Sequence, residues 1–320
     1  YSNSNLLGFG DSAFFNAVIS DNQRTASLFS QYKIPVSRRW PIKVGMNHSW
    51  TRIRLGGSFR PANIVNESHK MAFMAESDLL HTKYVNVSGD AALNLYHSTV
   101  FIDNHSLQGL SGAIDRPDSV RALQFGLNID EHDKYGRTFI RGSLENAIGM
   151  MGGTEKYLRL NYDATRQQRI TDEITLILRS QGQYTPQQIT SLGQYQLGGA
   201  NTIRGFSEGF RVGDIGYMVS AELRFPLYGT PKFIRRNWQG VVFMDHGGLF
   251  MEDTGLAPST RGRPGYLTGY GFGLRGRIAR NISARIDFAA MLSPVTDDRV
   301  LPHTNLPDMR VHFGFDVNVL

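Results

Sequence analysis

Arg204 and Asp245 are the two residues best placed to act together in this sequence. Arg204 lies in the run Leu197-Gly-Gly-Ala-Asn-Thr-Ile-Arg-Gly-Phe-Ser-Glu208, and Asp245 about forty residues later in Val242-Phe-Met-Asp-His-Gly-Gly248. A guanidinium can grip a carboxylate through two parallel N–H···O bonds. Inside a confined space such a pair is screened less than on an open surface. Gly198, Gly199, Gly205 and Gly209 permit the sharp reversals that would fold this stretch back over the rest of the chain. The loop around them, 186–214, is nearly thirty residues long, and loops of that length are usually functional or disordered. The residues alone leave an alternative open, with Arg204 an exposed loop charge and Asp245 an ordinary turn acid.

Other chemistry finds less support. Gly271-Phe-Gly-Leu-Arg-Gly276 matches Gly-x-Gly-x-x-Gly, but a dinucleotide site needs that motif between a strand and a helix. Here it lies within an alternating stretch followed by another, and its small residues are better read as room for a loop. Of the nine histidines, His246 adjoins Asp245 and His132 lies among Asp130, Glu131 and Asp133, yet no pair has zinc-site spacing. The acidic group 130–133 reads as a solvated turn. Nothing in the sequence singles out a catalytic nucleophile. The expectation is no catalytic residue, no metal, no cofactor and no enzyme.

Composition narrows the class of element that must hold these residues. The chain has 320 residues and no cysteine, which rules out a disulfide scaffold and thiolate-bound metal. No run approaches the roughly 18 apolar residues of a spanning helix. A β-barrel remains, because its apolar residues alternate with polar ones and dilute the hydropathy. The net charge of +6 brings no basic cluster interleaved with aromatics, so nucleic acid is not expected as a partner. Tyr1–Leu6 has no basic segment leading into an apolar core. Since a barrel protein needs a signal peptide, the expectation is a mature chain or a fragment of a longer one.

Period-two alternation recurs along the chain. Tyr217, Val219, Ala221, Leu223 and Phe225 alternate with Ser220, Glu222 and Arg224; Tyr270, Phe272, Leu274 and Ile278 with Gly271, Gly273, Arg275 and Arg277; Ile282, Ala284, Ile286, Phe288 and Ala290 with Ser283, Arg285 and Asp287. Alternation puts one set on each face of a sheet. These segments run about 10 to 14 residues, beyond the usual 5 or 6 and matching the 9 to 11 of a tilted membrane strand. Mid-strand Arg, Asp and Glu would then line a wet lumen, opposite a lipid-facing row. Strands are expected near 10–20, 24–36, 41–54, 68–82, 85–102, 118–130, 136–149, 157–169, 172–185, 216–228, 239–250, 267–278, 282–292 and 309–320. That is an all-β, antiparallel transmembrane barrel with about fourteen strands, no helical stretch and one domain over 1–320. If Asp245 faces inward, so do Val241 and Phe243, and the Phe206 ring is the natural cover for Phe243.

The two motifs, in this order and spacing, resemble those of the Omp85/TpsB outer-membrane transporters. In that family a lid loop carries Val-Arg-Gly-Phe/Tyr and its Arg pairs, inside the barrel, with the Asp of a Phe-x-Asp-x-Gly strand. The matching residues are Ile203, standing where Val is usual, with Arg204, Gly205 and Phe206, and then Phe243, Asp245 and Gly247. The resemblance implies sixteen strands, with the lid, 186–214, after the eleventh. Nine expected strands precede Ile203 and five follow it, so the first hairpin is expected upstream of the chain, with the family's POTRA domains beyond it. The strand near 10–20 should then lack its first-side neighbour. Asn5-Leu-Leu-Gly-Phe-Gly-Asp11 resembles the turn that follows that hairpin. What the resemblance implies is a bacterial outer-membrane translocator, bathed in outer-membrane lipid, that secretes a large exoprotein unfolded during transport. Two alternatives are an outer-membrane protein insertase of the same superfamily and, less favoured, a passive solute porin. Short loops outside the lid favour the TpsB branch.

Overall fold

Alternation at period two becomes one long antiparallel sheet. In the computed structural model, which describes residues 2–3, 5–19, 25–37, 41–54, 64–102, 105–106, 118–149, 153, 156–187, 189, 193–250, 265–279, 282–292 and 309–317, the strands are as follows. β1 is Ser2–Asn3, β2 Ser12–Ile19, β3 Thr25–Pro35, β4 Ile42–Arg54, β5 Ile64–His81, β6 Val85–Ile102 and β7 His105–Ser106. β8 is Asp118–Asp133, β9 Gly136–Ala147, β10 Tyr157–Arg169, β11 Thr175–Tyr184, β12 Tyr195–Leu197 and β13 Arg211–Gly213. β14 is Ile215–Pro226, β15 Trp238–Phe250, β16 Gly265–Ala279, β17 Ile282–Met291 and β18 Met309–Val317. Neighbours in the chain are neighbours in the sheet, except that β12 and β13 pair only with each other, β11 pairs β14, and β7 folds back on β6, which pairs β8. The sheet holds 16 strands, two of which, β1 and β7, are only two residues long. The rest are the fourteen expected from the alternation.

The two faces of this sheet are inverted relative to a soluble sandwich. Asn94, Glu145, Ser220, Glu222, Asp245 and Asp287 are buried, while Phe73, Phe125, Leu160, Leu178, Met244, Phe272 and Phe313 are exposed. A soluble fold would bury the apolar row and wet the charged one. The arrangement fits a barrel wall with lipid outside and a polar lumen inside. Glu222, Arg224, Arg275 and Asp287 lie together on the inner face, and Arg285 Nη2 reaches Asn201, in the loop after β11, at 3.0 Å. On the outer face Phe272 stacks on Phe288, centroids 5.3 Å apart. Phe272→Arg would move a charge into the hydrocarbon, costing about 2–4 kcal/mol near the midplane. Refolding into lipid vesicles, followed by gel mobility with and without heating, should show a clear fall in inserted protein. Unchanged insertion would mean this face does not meet lipid.

Strands β5 and β6 have 18 residues each, about 60 Å at 3.3–3.4 Å per residue and far longer than a bilayer requires. Polar outer-face pairs mark the excess. Trp50 Nε1 donates to Glu67 Oε1 at 2.7 Å, and His48 and His69 meet at 3.5 Å. Such polar pairs suit water or headgroups better than hydrocarbon.

The structure corrects four expectations. Residues 130–133 belong to β8. The turn follows them, because Asp133 Oδ1 accepts the N–H groups of Tyr135 and Gly136, and Asp130 is neutralised by Arg137. A six-residue helix, α1 (Lys232–Asn237), joins β14 to β15, entered from Pro231 at φ −53; it is too short to leave a helical period in the sequence. β5 begins at Ile64 because β6 is long enough to pair it there, Ile64 opposite Ile102. β2 does have a first-side neighbour, though only Ser2 and Asn3 opposite Phe14 and Ala13. The segments 251–264 and 293–308 lie outside the described residues.

The turn before β2 is built by its own side chains. Asn5 Oδ1 accepts the Gly10 N–H at 2.8 Å, and Asp11 accepts the Leu7 N–H at 3.0 Å and the Tyr32 hydroxyl at 3.0 Å. Burial pushes the Asp11 carboxyl up, but the Leu7 and Tyr32 bonds outweigh it and hold it below its ordinary value.

Candidate functional site

Three rows of inner-face residues run across β14, β15, β16 and β17. Cross-strand register aligns Ser220, Asp245, Gly269 and Met291; then Glu222, Phe243, Gly271 and Ala289; then Arg224, Val241, Gly273 and Asp287. Each row therefore offers a glycine on β16 between bulkier or charged neighbours. The result is a shallow trough flanked by three carboxylates.

The loop after β11 folds into this trough. Its stem is the pairing of β12 with β13, with Tyr195 opposite Gly213 and Leu197 opposite Arg211. Beyond the stem the tip is wound tight: Gly198 N–H donates to Thr202 Oγ1 at 2.9 Å and Gly199 N–H to the Ile203 carbonyl at 3.2 Å. Gly205 has φ +99, and a Cβ there would lie 2.9 Å from the Ala290 carbonyl oxygen on β17. Conformation and proximity both require glycine at that position. Gly269 serves from the wall side, since a Cβ on it would strike the Arg204 carbonyl oxygen.

Arg204 is 6% exposed and Asp245 fully buried. Arg204 Nε lies 2.7 Å from Asp245 Oδ2 and Nη2 lies 2.8 Å from Oδ1, a two-armed grip to which the Arg204 backbone N–H adds a third bond at 3.1 Å. Nη1 donates to Glu222 Oε2 at 2.9 Å, Nη2 also to Ser220 Oγ at 3.3 Å, and Ser220 donates to Asp245 Oδ1 at 2.6 Å. Asp287 Oδ2 is 3.8 Å from Nη1. The guanidinium lies 3.4 Å above the Phe243 ring, a cation–π contact strengthened by the loss of water. Arg275 bridges Glu222 at 2.7 Å and Asp287 at 2.6 Å, and Arg224 holds the other Glu222 oxygen at 2.8 Å. Three cations thus face three carboxylates, which is how buried charge becomes tolerable.

The remaining motif residues are apolar or spacing elements. Ile203 and Phe206 are buried with Leu197, Met218, Leu249 and Leu267, and Phe206 tilts against Phe210 at 5.2 Å. Phe206 does not cover Phe243, as the sequence suggested; the arginine does, because Arg204 must cross that ring to reach Asp245 and Glu222 together. A Cβ at Gly247 would come within 3.0 Å of Leu197 Cδ1, so Gly247 admits the stem of the loop. Sequence reasoning placed Glu222, Arg275 and Asp287 on the inner face without joining them to Arg204. Their signal was mid-strand charge on strands that become neighbours, legible only once register is known.

The rejected motifs fall elsewhere. A Cβ on Gly271 would strike the Phe288 carbonyl and the Phe243 ring, one on Gly273 the Ile286 carbonyl and the Asp287 carboxylate, and one on Gly276 the Trp238 ring. His246 lies outside the site, bonded to Tyr217 and Thr268 at 3.2 and 2.9 Å. Among the described residues no group of three or more His, Asp or Glu could hold a metal.

Residues 5–316 match the Omp85 superfamily domain. No curated protein matches the chain. Among solved structures, CdiB from Escherichia coli is similar at TM-score 0.73 and 17% identity, covering 99% of this chain and 58% of its own. CdiB from Acinetobacter baumannii is similar at 0.72 and 16%, covering 99% and 55%. BamA from Haemophilus ducreyi lacking POTRA domains 1-3 is similar at 0.66 and 13%, covering 99% and 65%. The chain thus spans a little over half the length of the two CdiB structures.

Proposed function

The chain belongs to the Omp85 superfamily, and on that premise we propose that it is the barrel of a bacterial outer-membrane translocator that secretes a large exoprotein. The observation that carries this reading is the loop seated in the glycine trough by Arg204. A passive porin has no reason to fill its lumen with a loop whose hold is made of exchangeable ion pairs. A protein exporter does: the loop closes the pore at rest, and the same contacts can re-form after a client has passed. Arg204, Gly205, Phe206 and Ile203 form the lid's tip, while Phe243, Asp245 and Gly247 are its seat. Similarity to the two CdiB barrels supports the two-partner branch. The client would cross unfolded, and POTRA domains on the same polypeptide would receive it. The exposed apolar band would contact outer-membrane lipid.

Similarity to BamA supports a second reading, an insertase for other barrel proteins. One experiment separates the two. Deleting the gene should remove one large polypeptide from the culture supernatant and leave the outer-membrane protein profile unchanged. A general fall in barrel proteins would instead assign the insertase role, and no change in either fraction would refute both.

A further inference from the structure

A second buried acid lies on the wall away from the seat. Glu145 on β9 is 1% exposed. It accepts hydrogen bonds from Asn94 Nδ2 at 3.1 Å, the Tyr96 hydroxyl at 2.8 Å, the Tyr157 hydroxyl at 3.0 Å and Arg159 Nη2 at 2.6 Å. These partners sit on β6 and β10, so the carboxylate is fixed from both flanking directions. The other arm of Arg159 leaves the wall: Nη1 donates to the carbonyl of Gly193, in the lid, at 2.9 Å. Gln183 Nε2 on β11 donates to that same carbonyl at 2.8 Å and to the Asp214 carbonyl at 2.9 Å.

Gly193 and Asp214 stand just outside the Tyr195–Gly213 pair that begins the lid's stem. Gln183 therefore ties the ingoing limb to the outgoing one. Asp214 Oδ1 adds to the knot by accepting the Ile189 N–H at 3.3 Å and the Gln194 side chain at 3.2 Å. The Ile189 side chain is buried with Val120, Ala122, Ala147 and Tyr157. None of these hydrogen bonds reaches the Arg204 network. The neck rests on β8 to β11 and the tip on β14 to β17, with Arg179 of β11 adding one bond to the Asn201 carbonyl at 3.2 Å.

We infer that Arg159 and Gln183 are lid-positioning residues that form a second, independent hold at the lid's neck. The tip then detaches by turning about a fixed neck, and the loop does not leave as one body. The neck hold grips backbone carbonyls and leaves Glu145 neutralised in place. The tip hold centres on Arg204, with Arg179 Nη2 on the Asn201 carbonyl at 3.2 Å and Arg285 Nη2 on Asn201 Oδ1 at 3.0 Å beside it. This inference deepens the reading of the loop as a lid and rests on it only for its meaning in transport.

Hydrogen exchange followed by mass spectrometry, on the purified protein in detergent micelles, tests it. Peptides covering 193–197 report the neck and peptides covering 198–208 report the tip. Arg204→Ala should speed exchange at the tip by about tenfold or more and leave the neck unchanged. Arg159→Met and Gln183→Leu should do the converse. Arg159→Lys keeps a charge beside Glu145 but has no second arm for Gly193, so the neck should exchange as fast as in Arg159→Met. Because Arg159→Met strands a buried acid, Arg159→Met with Glu145→Gln is the companion variant that retains a neutral, foldable wall. Tip and neck loosening together in Arg204→Ala would overturn the inference. So would a neck that stays protected in both Gln183→Leu and the Arg159→Met/Glu145→Gln pair. None of these readouts involves secretion, so failure here leaves the transport reading standing, and failure of transport leaves the two-hold geometry standing.

Discussion

Arg204→Ala and Asp245→Ala should each cut client in the culture supernatant by tenfold or more while barrel abundance in the outer membrane falls less than twofold, magnitudes that follow from about 3–5 kcal/mol for breaking a buried pair, reduced by a wet lumen. Two arms of the guanidinium and one backbone N–H converge on a single carboxylate. Losing either partner therefore removes the same contact. The double variant should be no worse than Arg204→Ala, which already loses every contact of the guanidinium, since residues acting through one interaction are not additive. Arg204→Lys should restore only part of the secretion, because an ammonium cannot span Asp245 and Glu222 as a planar fork does. Client in the supernatant against barrel in the membrane fraction is the measurement. Strictly additive defects, or full secretion by both single variants, would show that the pair does not carry transport.

Gly269→Val should be nearly as severe, and it leaves every charge in place. A side chain at this position would strike the Arg204 carbonyl, and the neighbouring β-strand backbone gives it nowhere to go. The tip of the loop must lift, and with it the whole ion-pair set. Insertion should survive, because valine is at home in a strand. The variant thus separates seating from charge: secretion lost with Arg204 and Asp245 both present would assign the effect to the position of the lid. The same measurement applies, paired with exchange at residues 198–208, which should rise as it does in Arg204→Ala. Wild-type secretion together with wild-type protection would refute the close packing of tip on wall.

The barrel was legible in the sequence because lipid on one side and water on the other impose a chemical difference on every second residue. Val242 and Met244 against Phe243 and Asp245 is that rule at work: the outward pair is exposed and the inward pair buried. The Arg204–Asp245 pairing was expected from two motifs whose order and spacing resemble a family's; the glycines alone left Arg204 readable as an exposed loop charge. What could not be read was register. The sequence distance between Asp245 and Asp287 says nothing about their lying two rows apart on one wall, and Glu222 looked like any lumen charge. The neck was silent for another reason. Arg159 and Gln183 reach for carbonyl groups, and a backbone acceptor leaves no trace in side-chain identity.

Counting charge at the seat with the lid raised gives the wall a different character from the closed one. Arg204 takes its cation with it, while Glu222, Asp245 and Asp287 remain with Arg275 and Arg224. On the proposed transport reading the open conduit would acquire a net negative patch in its interior, felt over a Debye length of roughly 8 Å at physiological salt. In the proposed exporter such a patch would rank what passes, drawing basic stretches of an unfolded client along the wall and repelling acidic ones. It also pulls its own gatekeeper home, since the nearest tethered cation is the arginine that has just left. Tethering keeps that arginine at high local concentration, so once the passage empties, the vacancy is filled from within the same polypeptide.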